Sequence, residues 1–523
     1  MIDLATHNLV YSKLKSAVGS ENVTDKEIIL DAYMGTTTAS AAVGSAQMKE
    51  YRRELVKEHR PGFVVRAGSK EEIQEIMRLA NRYKIPVIPV AAFTSTYYET
   101  TPEEGCIMLD MRRMRGIEID EDIMTVTLEP GVTWAQAYRD LALKGYWVSA
   151  QASPASLQIL GATSQAGMHL PMNKHAINFS TYYSDLTIGA EIVLPTGELL
   201  VTGSAALPGT KPQAHRAYGP ALGHIFLGAQ GTLGIVVRHT LPLWRIPEAH
   251  VYVQGNFSPQ NFKGLANAMH KVMDDQNHGI AWAERVWAIY EGDGTGDTGE
   301  WEFYVLIFGS KDLVDFLRKY SENIIVAEGG KLISPTRHYD PETDYSPQLY
   351  EEWIYWRPRA NSIVQYPSDL GTLGVGGMAS YDKLPQVHDA ALKLLAKHGI
   401  PWSKIRKGIS SSGVRSASYL SVALSVLFDK NNPEEVKRAN AIREEWGPIL
   451  NKITGGKRVD RYSMSEAAGS GGKEVVVYRI TPIAAKTQMP MLGEYYQLLK
   501  KLKRMLDPNH IMNPGKFMDI EPY

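Results

Sequence analysis

Glycines 228, 231 and 234, in GAQGTLGIVV (Gly228–Val237), are the residues with the clearest chemical use in this chain. A glycine lets a backbone amide come close to a ligand and tolerates positive φ. Successive amides in such a turn make a concavity that holds an anion. The same pattern also describes a tight turn before a buried β-branched strand. Glycines alone do not choose between the two. Other chemistry is sparser. His169 and His175 lie six residues apart, which is neither the i,i+4 spacing of a helical metal pair nor a known ligand pattern, so no metal is expected. Cys106 is the single cysteine, which excludes an intrachain disulfide framework and a cysteine-based structural zinc site. Ahead of a strand it reads as a packed apolar residue. The acids of EGDGTGDTGE (Glu291–Glu300) lack calcium-loop spacing and read as a solvated turn. Tyr478-Arg479 in VVVYRITP, taken alone, reads as a strand with one buried face and a surface-paired arginine.

The elements that must position these residues follow from pattern. With 523 residues the chain exceeds one hydrophobic core and predicts two or three domains. Apolar residues make up 44 % and the net charge is −1, so no basic field recruits nucleic acid or an anionic membrane. MIDLATHNLVYSKLKSAVG has no apolar core of a leader peptide, and no apolar run is long enough to span a bilayer. A soluble, cytoplasmic protein is expected. Residues 1–58 read as a peripheral helical segment. RPGFVVRA is a short strand. Ser69 and Glu72 form a capping box for a helix whose inner face is Ile73, Ile76, Met77, Ala80 and Tyr83. IPVIPVA is a second strand, so this unit needs a crossover and implies an α/β lobe. A hairpin turning at Asp120–Asp122, a helix and the strands around Pro195–Gly197 complete a region reaching residue 245. From residue 246 the texture becomes α+β, antiparallel strands backed by helices. No internal repeat is visible. EYYQLLKKLKRML (Glu494–Leu506) is a final amphipathic helix that stops at Asp507-Pro508.

Several segments agree, in order and spacing, with one family. They are RPGFVVRAGSKEEIQEIMRLANRYKIPVIPV, LDMRRMRGIEIDEDIMTVTLEPGVTWAQAYRDL, AEIVLPTGELLVTG, LPGTKPQAHRAYGPALGHIFLGAQGTLGIV, KNNPEEVKRANAIREEW and LDPNHIMNPGKF. Together the chain resembles the vanillyl-alcohol oxidase/4-cresol methylhydroxylase flavoproteins. The resemblance implies an α+β protein. A PCMH-type FAD-binding domain of two α/β lobes spans 59–245. A cap (substrate) domain with an antiparallel sheet spans 246–485, and a C-terminal segment, 486–523, returns to the FAD domain. It implies FAD, held by Thr94, Ser95, Thr96 and Tyr98 in the pyrophosphate loop and by Pro130 and Gly131. Ser153, Gly161, Ala162, Ser164 and Gly167 would contact it in a second segment. Gly228, Gly231, Thr232, Gly234, Ile235 and Asn513 complete the set. The family's pyrophosphate loop is usually glycine-rich, whereas AAFTSTYY (Ala91–Tyr98) has no glycine and offers hydroxyl donors instead. The position of the family's covalent flavin anchor falls on Leu370, so the flavin is expected to be non-covalent.

The phenol-oxidising branch of this family binds the substrate oxygen with two tyrosines and an arginine. Tyr97, with Tyr98 as its competitor, and the pair Tyr478-Arg479 take those positions here. Two phenolic donors and a guanidinium favour the charged form of a bound phenol. A hydride would then leave the para side chain for flavin N5, giving a quinone methide. The branch's carboxylate near N5 falls near Tyr182, while Asp185 fits an aspartate of the wider superfamily. Water, Tyr182 and His169 are the candidate bases. The implied partners are a phenolic small molecule, then oxygen or a cytochrome as electron acceptor, in a homodimer or larger assembly. Two other readings stand beside this one: a 2-hydroxy-acid dehydrogenase of the same fold, and a flavin-free non-catalytic homologue.

Overall fold

Asp3 accepts a hydrogen bond from the Thr6 amide at 2.9 Å and so caps the first helix, α1 (Leu4–Val18), which buries Val10, Leu14 and Val18. The computed structural model describes residues 3–34, 59–91, 100–148, 187–246, 248–273, 283–291, 300–333, 337–338, 370–400, 405–411, 419–429, 431–454, 485–486 and 489–518. After α1 come β1 (Val23–Thr24) and α2 (Glu27–Met34). The next strand, β2 (Phe63–Arg66), leads into α3 (Lys70–Tyr83), then β3 (Val87–Val90) and β4 (Ile107–Asp110). Strands β2, β4 and β3 are parallel in that spatial order, and β1 adds antiparallel to β2. The crossover predicted for this unit is α3. Ser69 caps it by accepting from the Glu72 amide at 3.2 Å. The Glu72 carboxylate accepts from the Gly68 amide at 2.7 Å, one residue upstream of the donor a capping box would use. Ile73, Ile76, Met77 and Ala80 are fully buried as patterned, and Tyr83 is half-buried.

The second lobe comprises β5 (Ile117–Asp120), β6 (Thr125–Leu128), α4 (Trp134–Ala142), β7 (Tyr146–Trp147), β8 (Gly189–Val193), β9 (Leu199–Val201), β10 (Ile235–Pro242) and β11 (Trp244–Arg245). Its five-stranded sheet is antiparallel, in the order β5-β6-β10-β8-β9. The β5–β6 turn is pinned by Lys211, whose ammonium lies 2.8 Å from Asp120 and 3.2 Å from Asp122. Val193, Ile235 and Val237 join the apolar core of the first lobe, so the two sheets pack as one body.

The third region is built from β12 (Ala249–Phe257), α5 (Phe262–Met273), β13 (Ala283–Glu291), β14 (Glu300–Gly309) and α6 (Lys311–Ala327). Short strands β15 (Lys331–Leu332) and β16 (Arg337–His338) follow, both pairing with β12. Then the same layout returns: β17 (Leu370–Ser380), α7 (Leu384–Lys397), β18 (Ile405–Ser411), β19 (Tyr419–Asp429) and α8 (Pro433–Thr454). The sheet order β12-β14-β13-β18-β19-β17 places the two βαββα units back to back, with β13 and β18 as the antiparallel seam. Thus α5 begins at Phe262 and its counterpart at Leu384, and α6 begins at Lys311 and its counterpart at Pro433, each 122 residues on. This internal repeat was not visible in the sequence, because it is a repeat of topology and apolar spacing rather than of residues. Trp301, Phe303, Val305 and Ile307 alternate along β14 to meet the helices. Phe262 of α5 stacks on His388 of α7 at 3.9 Å, closing the helical layer across the two units. The glycines of β17 admit α8: a Cβ at Gly377 would come within 2.7 Å of Leu450, and the Trp446 indole donates to Gly376 O at 2.8 Å. Residues 292–299, the acidic turn, lie outside the described residues, between paired strands β13 and β14.

The last helix, α9 (Glu494–Leu506), runs as the sequence predicts and lays Tyr496 against Ala190, Ile192, Leu233 and Val236 of the second lobe. Beyond it, Met512 bridges in parallel to Val87 of β3, so the chain's C-terminal strap extends the first lobe's sheet.

Candidate cofactor site

The glycine turn, the C-terminal strap and the carboxyl end of β3 converge at one place. Gly228 (φ 78°), Gln230 (φ 53°) and Gly231 (φ 66°) are left-handed, and Thr232 closes the turn with its amide and hydroxyl both donated to Ala229 O. A Cβ on Gly231 would lie 2.6 Å from Pro89 of β3, and one on Gly234 would lie 2.8 Å from Ile192. Close protein packing therefore requires both glycines, and Ile235 then starts a buried strand. Thr232 itself is 1 % exposed. Asn513, also left-handed (φ 40°), donates its side-chain amide to Gln230 O at 2.8 Å and its backbone amide to Val87 O at 3.0 Å. Pro130 and Gly131 form a second tight approach. The Gly131 amide donates to Met114 O at 2.6 Å, and a Cβ there would come within 2.4 Å of the same oxygen.

Four residues outside the predicted set are buried polar groups: Thr100, Thr101, Asp110 and Lys503. Thr100 and Thr101 follow the pyrophosphate-loop segment. Both are more than nine-tenths buried, and neither hydroxyl has a hydrogen-bond partner among the described residues. Asp110, at the end of β4, is 1 % exposed and is held by the Arg112 guanidinium and by the Tyr33 hydroxyl at 2.6 Å. Burial opposes its charge, but those donors outweigh it and keep the carboxyl below the usual range. Burial, then Asp110, push the Tyr33 hydroxyl up to about 12. Lys503 of α9, 4 % exposed, donates to Thr232 O, Met512 O and Asp507. Its signal was present in the sequence: it falls on the apolar stripe of α9 with Tyr496 and Leu499, four residues before an aspartate.

Other predicted residues fall elsewhere. Thr94, Ser95, Thr96, Tyr97, Tyr98, Ser153, Gly161, Ala162, Ser164, Gly167, His169, His175, Tyr182, Asp185, Tyr478 and Arg479 lie outside the described residues. Leu370 is the first residue of β17. Cys106 is fully buried, and burial pushes its thiol up to about 12, as suits a packed apolar residue. No metal-binding cluster of histidine, cysteine or carboxylate occurs among the described residues, and no helix among them is long and apolar enough to cross a membrane.

A dinucleotide needs close main-chain amides and free hydroxyl donors at its diphosphate. The left-handed turn at 228–231 and the two buried threonine hydroxyls without a partner among the described residues are groups of those kinds, whereas the Gly131 amide is taken by Met114 O. Residues 61–203 match the FAD binding domain family, and residues 486–517 match the C-terminal domain of FAD linked oxidases. Over 507 residues the chain is 23 % identical to the 4-cresol dehydrogenase [hydroxylating] flavoprotein subunit of Pseudomonas putida, covering 88 % of each. It is also 23 % identical to a mitochondrial D-lactate dehydrogenase [cytochrome] of Arabidopsis thaliana, over 88 % of this chain and 73 % of that one. The fold matches a crystal structure of p-cresol methylhydroxylase with substrate bound at a TM-score of 0.71, with 19 % identity and 99 % of this chain covered. The chain is an FAD-linked oxidoreductase with this fold. Its cofactor is FAD.

Proposed function

We propose that this oxidoreductase acts on a para-substituted phenol. The observation that carries the reading is Tyr478-Arg479, placed 29 residues ahead of Asp507, together with Tyr97 in the pyrophosphate-loop segment. FAD supplies the hydride acceptor. Tyr97, Tyr478 and Arg479 bind the phenol oxygen and favour its ionised form by charge-assisted hydrogen bonds. The ionised ring releases electrons toward the para carbon, which makes its C–H bond a hydride donor and leaves a quinone methide that takes up water or loses a proton. The 4-cresol dehydrogenase subunit that aligns with most of this chain supports the reading. Electron delivery to oxygen or a cytochrome, and a homodimeric or larger assembly, belong to it.

A second reading, oxidation of a 2-hydroxy acid, is favoured by the D-lactate dehydrogenase relative. The two separate under anaerobic conditions. Purified holoprotein is mixed with 4-alkylphenols, 4-hydroxybenzyl alcohols, D-lactate and 2-hydroxyglutarate, and the visible flavin band is followed. Bleaching by phenols alone is the expected outcome, and Tyr478→Phe and Arg479→Met should each lower its kcat/KM about a hundredfold or more. Bleaching by a hydroxy acid with phenols inert refutes the phenol reading.

A further inference from the structure

Lys503 is a buried cation whose every proton is spoken for. An ammonium has three donors, and the fold supplies Thr232 O at 2.7 Å, Met512 O at 2.7 Å and Asp507 Oδ2 at 2.5 Å. Asp507 in turn accepts from the Ile511 amide at 3.0 Å and the Met512 amide at 2.9 Å. A buried ion pair that serves packing can be exchanged for apolar residues. Here two of the three acceptors are main-chain carbonyls, which an apolar side chain would leave unsatisfied. Those carbonyls belong to the two segments that form the cradle: Thr232 ends the glycine turn, and Met512 precedes Asn513, which reaches back to Gln230 O.

We propose that Lys503 is a positioning residue for FAD, a tripod that fixes the glycine turn and the C-terminal strap at one separation. The inference rests on assigning Gly228–Ile235 and Asn513 to the cofactor. It makes docking of α9 and retention of FAD one event, although Lys503 points at backbone oxygens and touches no ligand itself.

The test measures FAD affinity in folded protein, well below its melting temperature. The double variant Lys503→Met/Asp507→Leu leaves no uncompensated charge, and its Kd for FAD should rise about tenfold or more, the scale of a charge-assisted hydrogen bond lost. A merely structural lysine would lower the melting temperature of the flavin-free protein and leave that Kd unchanged, which overturns the proposal. Asn513→Ala tells the two levels apart. If it weakens FAD while the double variant does not, the tripod alone fails. If neither variant weakens FAD, the cradle assignment fails with it. Should the double variant not fold, wild-type protein answers through lysine acetylation read by mass spectrometry. FAD should slow acetylation of Lys503 at least several-fold more than that of Lys70, which opens α3 and pairs with Glu191 of β8 at 2.6 Å, away from the strap. Equal protection of the two lysines overturns the proposal.

Discussion

Acid should unfold this protein partly through one histidine. His239 sits on β10, the central strand of the second lobe's sheet, with no measurable exposure, and its Nε2 lies 2.6 Å from the Thr187 hydroxyl. Burial, with His224 nearby, pulls its pKa from 6.5 to about 3. The folded state therefore keeps this ring neutral while the unfolded chain protonates it below its ordinary pKa. A depressed folded pKa means a contribution present in full above about 6.5 and lost progressively as pH falls toward 3. At about 1.4 kcal/mol per pH unit, roughly 2 kcal/mol is lost by pH 5. His239→Gln keeps an amide for Thr187 and removes the titration. Urea unfolding of wild type and variant at pH 7.5 and pH 5 measures it: the wild type should lose about 2 kcal/mol more than the variant across that interval. Equal losses would refute the argument and move the acid sensitivity to other groups.

Gly131→Ala places a methyl against Met114 O and should cost about 1–3 kcal/mol of stability, read as a lower urea midpoint with an unchanged slope. Tyr33→Phe removes a donor from the buried Asp110 carboxylate and should cost about 1–2 kcal/mol, while the more distant Trp446→Phe should leave FAD affinity unchanged, both checked by urea unfolding and flavin titration.

Local chemistry was the legible part of this sequence. Ser69 and the Ile73, Ile76, Met77, Ala80 face specify α3 by capping and period, and both act within one helical turn or face. Glu494–Leu506 was legible for the same reason. The doubled βαββα unit of the third region was not, since its two copies share strand order and spacing while Phe262 in one has Leu384 at the equivalent start in the other. Any apolar residue satisfies such a position, so residue identity drifts while topology is kept. The glycine turn was half legible. Its left-handed backbone follows from Gly228 and Gly231, but the reason Gly231 and Gly234 lack side chains is their contact with Pro89 and Ile192, far away in the chain. Lys503 was passed over, although it falls on the apolar stripe of α9, because helical period alone does not reveal which acceptors wait behind a helix.

The bridge between Val87 and Met512 joins residues 425 positions apart. Translation at about 5–20 residues per second separates their appearance by roughly 20 to 90 seconds. During that interval β3 has been made, but its outer edge and the partner of the glycine turn have not. The first lobe therefore waits on the ribosome with an unpaired strand edge, the kind of surface that recruits chaperones or wrong strands. A stop placed between α8 and the strap should yield protein with most of its secondary structure made and this edge of β3 left without its C-terminal partner.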